Sequence, residues 1–131
     1  MRKEFQLPEG DLDYLASLGL PWETFREANN QWLLIHDFPL PSGFNVPMVD
    51  VALLIDPGYP VAQIDMAYFF PHLVLLSNRP IGALAGQPLE GKIYQRWSRH
   101  RTPVNPWRPG VDDLSTHMSA VNSWFERELK K

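Results

Sequence analysis

The chain carries four histidines, His36, His72, His100 and His117, and no cysteine. Without a thiol it can form neither a disulfide nor a thiolate zinc site, and it has no cysteine nucleophile. No two histidines have the i,i+4 spacing that puts a pair of imidazoles on one helix face. Zinc would need distant histidines combined with carboxylates, so no metal is expected, and no cofactor either. Serines are present, but no Gly-x-Ser-x-Gly elbow presents one as a nucleophile.

His100 has the most suggestive neighbours. It sits in Arg96-Trp97-Ser98-Arg99-His100-Arg101, where positive charge favours a neutral ring that can accept a proton. General-base work is chemically open to it, although a hydrogen-bonding loop histidine or a member of a binding patch is the plainer reading. Asp112 and Asp113 are better explained by capping and by the helix dipole than as paired catalytic carboxylates. His117 borders an apolar stripe and reads as a satisfied, partly buried side chain. Trp97 and Trp107 bracket the basic segment, and tryptophan with arginine dominates protein–protein contact energies. Trp107 is expected at least half buried under the last helix.

These side chains need elements to position them. Residues 9–28 read as two short helical pieces. Leu12, Leu15 and Ala16 share a face, Gly19 stops the first piece, and Pro21 opens a second over Trp22 to Ala28. Residues 31–38 read as a strand. Met48 to Ile55 is another, with Val49, Val51, Leu53 and Ile55 on one face and Asp50, Ala52 and Leu54 on the other. Ile64 to Phe70 is a third, and Leu73 to Leu76 offers a fourth. Three glycines and two prolines within residues 77–92 suggest a long irregular loop. A final helix over about 112–129 carries a stripe of Leu114, Met118, Val121, Phe125 and Leu129, widened by Trp124, with Asp112 as N-cap. The expected architecture is α+β: one antiparallel sheet of about four strands, packed by N-terminal and C-terminal helices.

Composition bounds the partners. The 131 residues suit a single domain, residues 1–131, and a net charge of −3 gives no footprint for nucleic acid. Arg96, Arg99, His100, Arg101 and Arg108 form one local exception, suited to an acidic partner or to a solvated loop. No apolar run approaches the ~20 residues of a membrane span, so a cytoplasmic protein without membrane attachment is the expectation. The 13 prolines are spread as punctuation, and five tryptophans argue against disorder.

Four local motifs occur in order along this framework. They are Asp56-Pro57-Gly58-Tyr59-Pro60, Phe70-Pro71-His72-Leu73, Gly91-Lys92-Ile93-Tyr94 and Trp107-Arg108-Pro109. Their order resembles the ubiquitin-conjugating-enzyme superfamily, with its Tyr-Pro turn, His-Pro-Asn, Gly-x-Ile-Cys and Trp-x-Pro. Residues 95–100 and 107–114 point more specifically to the prokaryotic ubiquitin-conjugating-like family E. The resemblance covers about residues 30–129.

The resemblance implies a ubiquitin-conjugating-like domain whose nucleophile position is Tyr94, or a residue between Arg96 and His100, with no thiol at either. His72 takes the place of the motif asparagine and Phe70 that of its histidine. Tyrosine, with an ordinary pKa near ~10, makes a poor acyl relay, so thioester conjugation is excluded. The implied partner is a ubiquitin-like protein, with an activating enzyme of the same pathway as a further one. The expected contacts are Trp97, Arg99, His100, Arg101 and Trp107, and reversing Arg99 and Arg101 is expected to abolish binding with stability unchanged. The alternative is an enzyme of that pathway using His100 or His72, aided by an acid such as Asp112, for proton transfer or acyl transfer.

Overall fold

The computed structural model describes all 131 residues. In chain order the elements are α1 (Glu9–Leu18), β1 (Trp22–Glu27), β2 (Asn30–Pro39), β3 (Met48–Ile55), β4 (Ala67–Phe70), β5 (Leu84–Leu89), β6 (Lys92–Trp97) and α2 (Leu114–Lys130). The strands make one antiparallel sheet ordered β1-β2-β3-β4-β6-β5. No helix is long and apolar enough to cross a membrane.

The α+β class and the helix-packed sheet are as expected, but the sheet has six strands rather than about four. The segment from Trp22 is a strand, not a second helix. Glu23 and Phe25 point to one face and Trp22 and Thr24 to the other, and all six residues pair with β2. Ala28 and Asn29, with φ of 51° and 65°, supply the left-handed pair that a two-residue hairpin turn requires. The expected loop over 77–92 contains β5, whose Gly86 and Pro88 are tolerated because β5 is an edge strand. Glu90 and Gly91, at φ 53° and 75°, close the β5–β6 hairpin.

Leu73 to Leu76 is extended but joins no ladder beyond a single bridge between Leu75 and Phe44. Side-chain amides stand in for a neighbouring strand. Gln95 accepts from Leu73 N–H (2.9 Å) and donates to its carbonyl (3.2 Å), while Asn45 Oδ1 accepts from Val74 N–H (2.9 Å).

Both faces of the sheet are buried. On one, Val49, Val51, Leu53 and Ile55 meet Leu15 of α1 and Met118, Val121 and Phe125 of α2 in the main core. Gly19 ends α1 in the left-handed conformation, as expected. The cap of α2 is Asp113, one residue later than expected. It accepts from Thr116 N–H in a reciprocal capping box. Asp112 is buried instead and accepts from Arg108 N–H at 2.8 Å.

The opposite face carries a second core of Phe25, Trp32, Leu34, Ala52, Tyr68, Leu89 and Tyr94. No helix contributes to it. The sheet curls far enough for the β5–β6 turn to reach β1, where Arg2 bridges Glu23 (2.7 Å) and Glu90 (2.5 and 2.8 Å).

Candidate functional site

The four motifs meet in space as two pairs. The Phe70-to-Leu73 segment runs beside the start of β6. His72 Nε2 donates to the Ile93 carbonyl (3.1 Å), and Gln95 holds Leu73 by both backbone groups. The Phe70 and Tyr94 rings lie 5.5 Å apart. At the other side Trp107 lies against the Tyr59 ring at 6.2 Å, and its Nε1–H donates to the Pro60 carbonyl (3.0 Å). Trp107 is half-buried, but the ring it lies against belongs to the Tyr-Pro turn, where the expectation was the last helix. The peptide bonds before Pro60 and Pro71 are both cis.

Tyr94 is 2% exposed and faces the second core. Burial, reinforced by the carboxylates of Asp50, Glu90 and Glu23, pushes its phenol up to about 12. A phenolate nucleophile at neutral pH is thereby disfavoured twice, by access and by ionisation. His72 is exposed, but its Nε2 is committed to Ile93. Asn45, which the sequence did not single out, holds the same segment by donating to the His72 carbonyl (3.1 Å). Its chain separation of 27 residues left no local signal.

The basic segment divides on folding. Trp97 is 0% exposed, packed among Phe44, Phe69 and Phe125, with Nε1–H donated to Gln95 Oε1 (2.9 Å). It is corrected from contact residue to core residue, because β6 turns Gln95 and Trp97 inward and Tyr94 and Arg96 outward. Arg99 lies over the Trp97 ring and reaches buried Glu128 at 3.5 Å. Arg101 lies over Trp107 and reaches buried Asp112 at 3.4 Å. Burial alone would raise the Asp112 carboxyl; the Arg108 N–H and the charges of Arg101 and Arg108 outweigh it and hold the group below its ordinary value.

His100 is the open member, with a side chain 57% exposed. Its Nδ1–H donates to Asp65 at 2.9 Å, which fixes the tautomer and leaves Nε2 as the acceptor. The ring stands at a hollow of about 240 Å³, lined also by Arg99, Arg101, His117 and Arg127. The acid beside His100 is therefore Asp65, 35 residues away, and not the Asp112 suggested by sequence. His117 is satisfied as expected, donating to the Met66 carbonyl at 2.8 Å, but is fully rather than partly buried. Burial, with the charge of Arg101, lowers its pKa to about 4.

No group of three or more histidine and acidic side chains is arranged to hold a metal ion. Neither curated proteins nor solved structures give a match to this chain. The model of one family, prokaryotic E2 family E, matches residues 7–128. With the motif order and the helix-packed antiparallel sheet, that match places the chain in prokaryotic E2 family E.

Proposed function

We propose that residues 1–131 form one ubiquitin-conjugating-like domain that acts by binding, without forming a thioester. Its partner in this reading is a ubiquitin-like protein or another component, such as an activating enzyme, of a bacterial ubiquitin-like modification pathway. The observation that carries the reading is Tyr94. The residue that the motif order sets at the nucleophile position is buried in an apolar cluster, the alternative stretch from Arg96 to His100 offers no thiol, and the chain has no cysteine to replace either. The surface proposed for contact is the loop after β6, with His100 and Trp107 in direct contact and Arg99 and Arg101 supplying charge around the hollow. Calorimetric titration with a bacterial ubiquitin-like protein tests it. Binding is expected, weakened at least ten-fold by His100→Ala combined with Trp107→Ala (a loss of about 1.4 kcal/mol). Absence of binding by the unmodified chain overturns the reading.

A second reading is favoured by the Asp65–His100 pair. An exposed imidazole with Nδ1 fixed by a carboxylate and Nε2 free is arranged for proton transfer. An enzymatic role in the same pathway would use it on an acyl group delivered by another protein. Reconstitution with the activating enzyme separates the two readings. Loss of covalent product in His100→Ala with affinity intact favours the enzyme; loss of affinity favours binding.

A further inference from the structure

The β5–β6 hairpin is supported unequally along its length. At its base, β6 pairs with β4 through Gln95, Arg96 and Trp97. Beyond Gln95 that ladder ends, and Gln87–Leu89 and Lys92–Tyr94 pair only with each other. The overhanging half curls across the outer face. Leu89 and Tyr94 there bury themselves against Phe25 of β1 and Trp32 of β2, three to five strands away in the sheet.

Charge holds the tip down. Glu90 takes two bonds from the Arg2 guanidinium, and its N–H donates to the Glu27 carboxylate at 3.2 Å. Arg2 is itself anchored on Glu23 and lies over the Phe25 ring at 4.2 Å. Its backbone is placed by the segment 2–5, which runs parallel along β1. Thr24 N–H donates to the Arg2 carbonyl (3.0 Å), and Glu4 N–H to the Thr24 carbonyl (2.9 Å).

We infer that the overhanging tip, residues 87–94, is a flap latched by Arg2, able to lift off the second core while the sheet and main core stay folded. Three features support this. The flap keeps its own cross-strand pairing when it moves, so lifting breaks no strand ladder. Its base is fixed by Gln95, whose side chain is tied to Leu73 and Trp97. The latch is a partly exposed ion pair, a kind of contact that is weak and sensitive to salt. Lifting uncovers Tyr94, Leu89 and Phe25 and releases the bond from His72 Nε2–H to the Ile93 carbonyl. The inference does not depend on the partner proposed above.

The absence of native cysteine permits a direct test. A single thiol introduced as Leu89→Cys, on the buried underside of the flap, is labelled with a maleimide. A second chain carries Ala67→Cys in the main core as reference. Adding Arg2→Ala, Glu90→Gln or high salt is expected to speed labelling at position 89 about five-fold and to leave position 67 unchanged. Equal acceleration at both positions, or none at 89, overturns the inference. Should Leu89→Cys fail to fold, exchange of the Glu90 amide followed by nuclear magnetic resonance gives the same reading. Faster exchange there in Arg2→Ala, with the Val51 and Leu53 amides unaltered, supports the flap; no change refutes it.

Discussion

The side-chain amide of Gln95 grips the backbone of Leu73 at both ends, accepting from its N–H at 2.9 Å and donating to its carbonyl at 3.2 Å. The same oxygen accepts from Trp97 Nε1–H. One buried residue thereby fixes the segment holding His72 against the strand holding Tyr94. Gln95→Ala leaves three buried groups unpaired and is expected to cost about 2–4 kcal/mol, read by denaturant unfolding. Gln95→Glu should cost more, since a carboxylate cannot donate to the Leu73 carbonyl.

Tyr94→Phe should change stability by less than about 1 kcal/mol, because the ring supplies the packing. Tyr94→Cys puts a thiol in an apolar site, where burial disfavours the thiolate. It is expected to form no thioester with an activated ubiquitin-like protein, and to lose about 2–4 kcal/mol from the vacated ring volume. A gel assay under non-reducing conditions, with denaturant unfolding, checks both.

Charge reversal of Arg99 and Arg101 reads differently in the structure than in the sequence. Each guanidinium faces a carboxylate that is about 2–3% exposed, Glu128 and Asp112 respectively. Replacing both by glutamate sets like charges against buried ones, so the expectation of unchanged stability gives way to a marked fall. Calorimetric melting should show a drop of several degrees, with Arg99→Gln and Arg101→Gln intermediate.

His117 makes stability depend on pH. Its folded pKa of about 4 lies below the ordinary value of 6.5, so between those values the unfolded chain binds a proton that the native one does not. Stability therefore falls as pH drops from 6.5 toward 4, by at most about 3 kcal/mol, and is unaffected by this group above that range. Asp11 acts oppositely: burial raises its carboxyl, so its protonation favours the native state at the acid end. Glu23 and Asp112, both lowered, lose their contribution below the ordinary carboxylate range. His117→Gln keeps a donor for Met66 and should flatten the slope between pH 4 and 6.5 in melting experiments.

What could be read from the sequence follows from how local each determinant is. The bounds of β3 and the stripe of α2 were legible because their periods lie within one element. Gly19 was legible because a left-handed cap needs only one residue. Trp22–Glu27 was misjudged because its strand identity depends on pairing with β2, and β5 because glycine and proline are tolerated only through its position at the sheet edge. Trp97 looked like a contact residue until the inward and outward alternation of β6 was known. Asp65 and Asn45 gave no signal, since their partners lie 35 and 27 residues away. The order of the four motifs survived because each is a short local pattern, and the fold brings them together in pairs.

Asp11 accepts from Tyr59 Oη–H at 2.6 Å and from Leu114 N–H at 3.4 Å, across 103 residues of chain. During synthesis α1 therefore waits for 103 further residues before its buried carboxylate acquires its second partner. The closing contact of the fold is one of its longest in sequence, and such contacts form late because the intervening chain must first give up its freedom. An emerging chain that ends before residue 114 holds a carboxylate meant for burial with only Tyr59 to meet it. Helices α1 and α2 mature together, once α2 has left the ribosome.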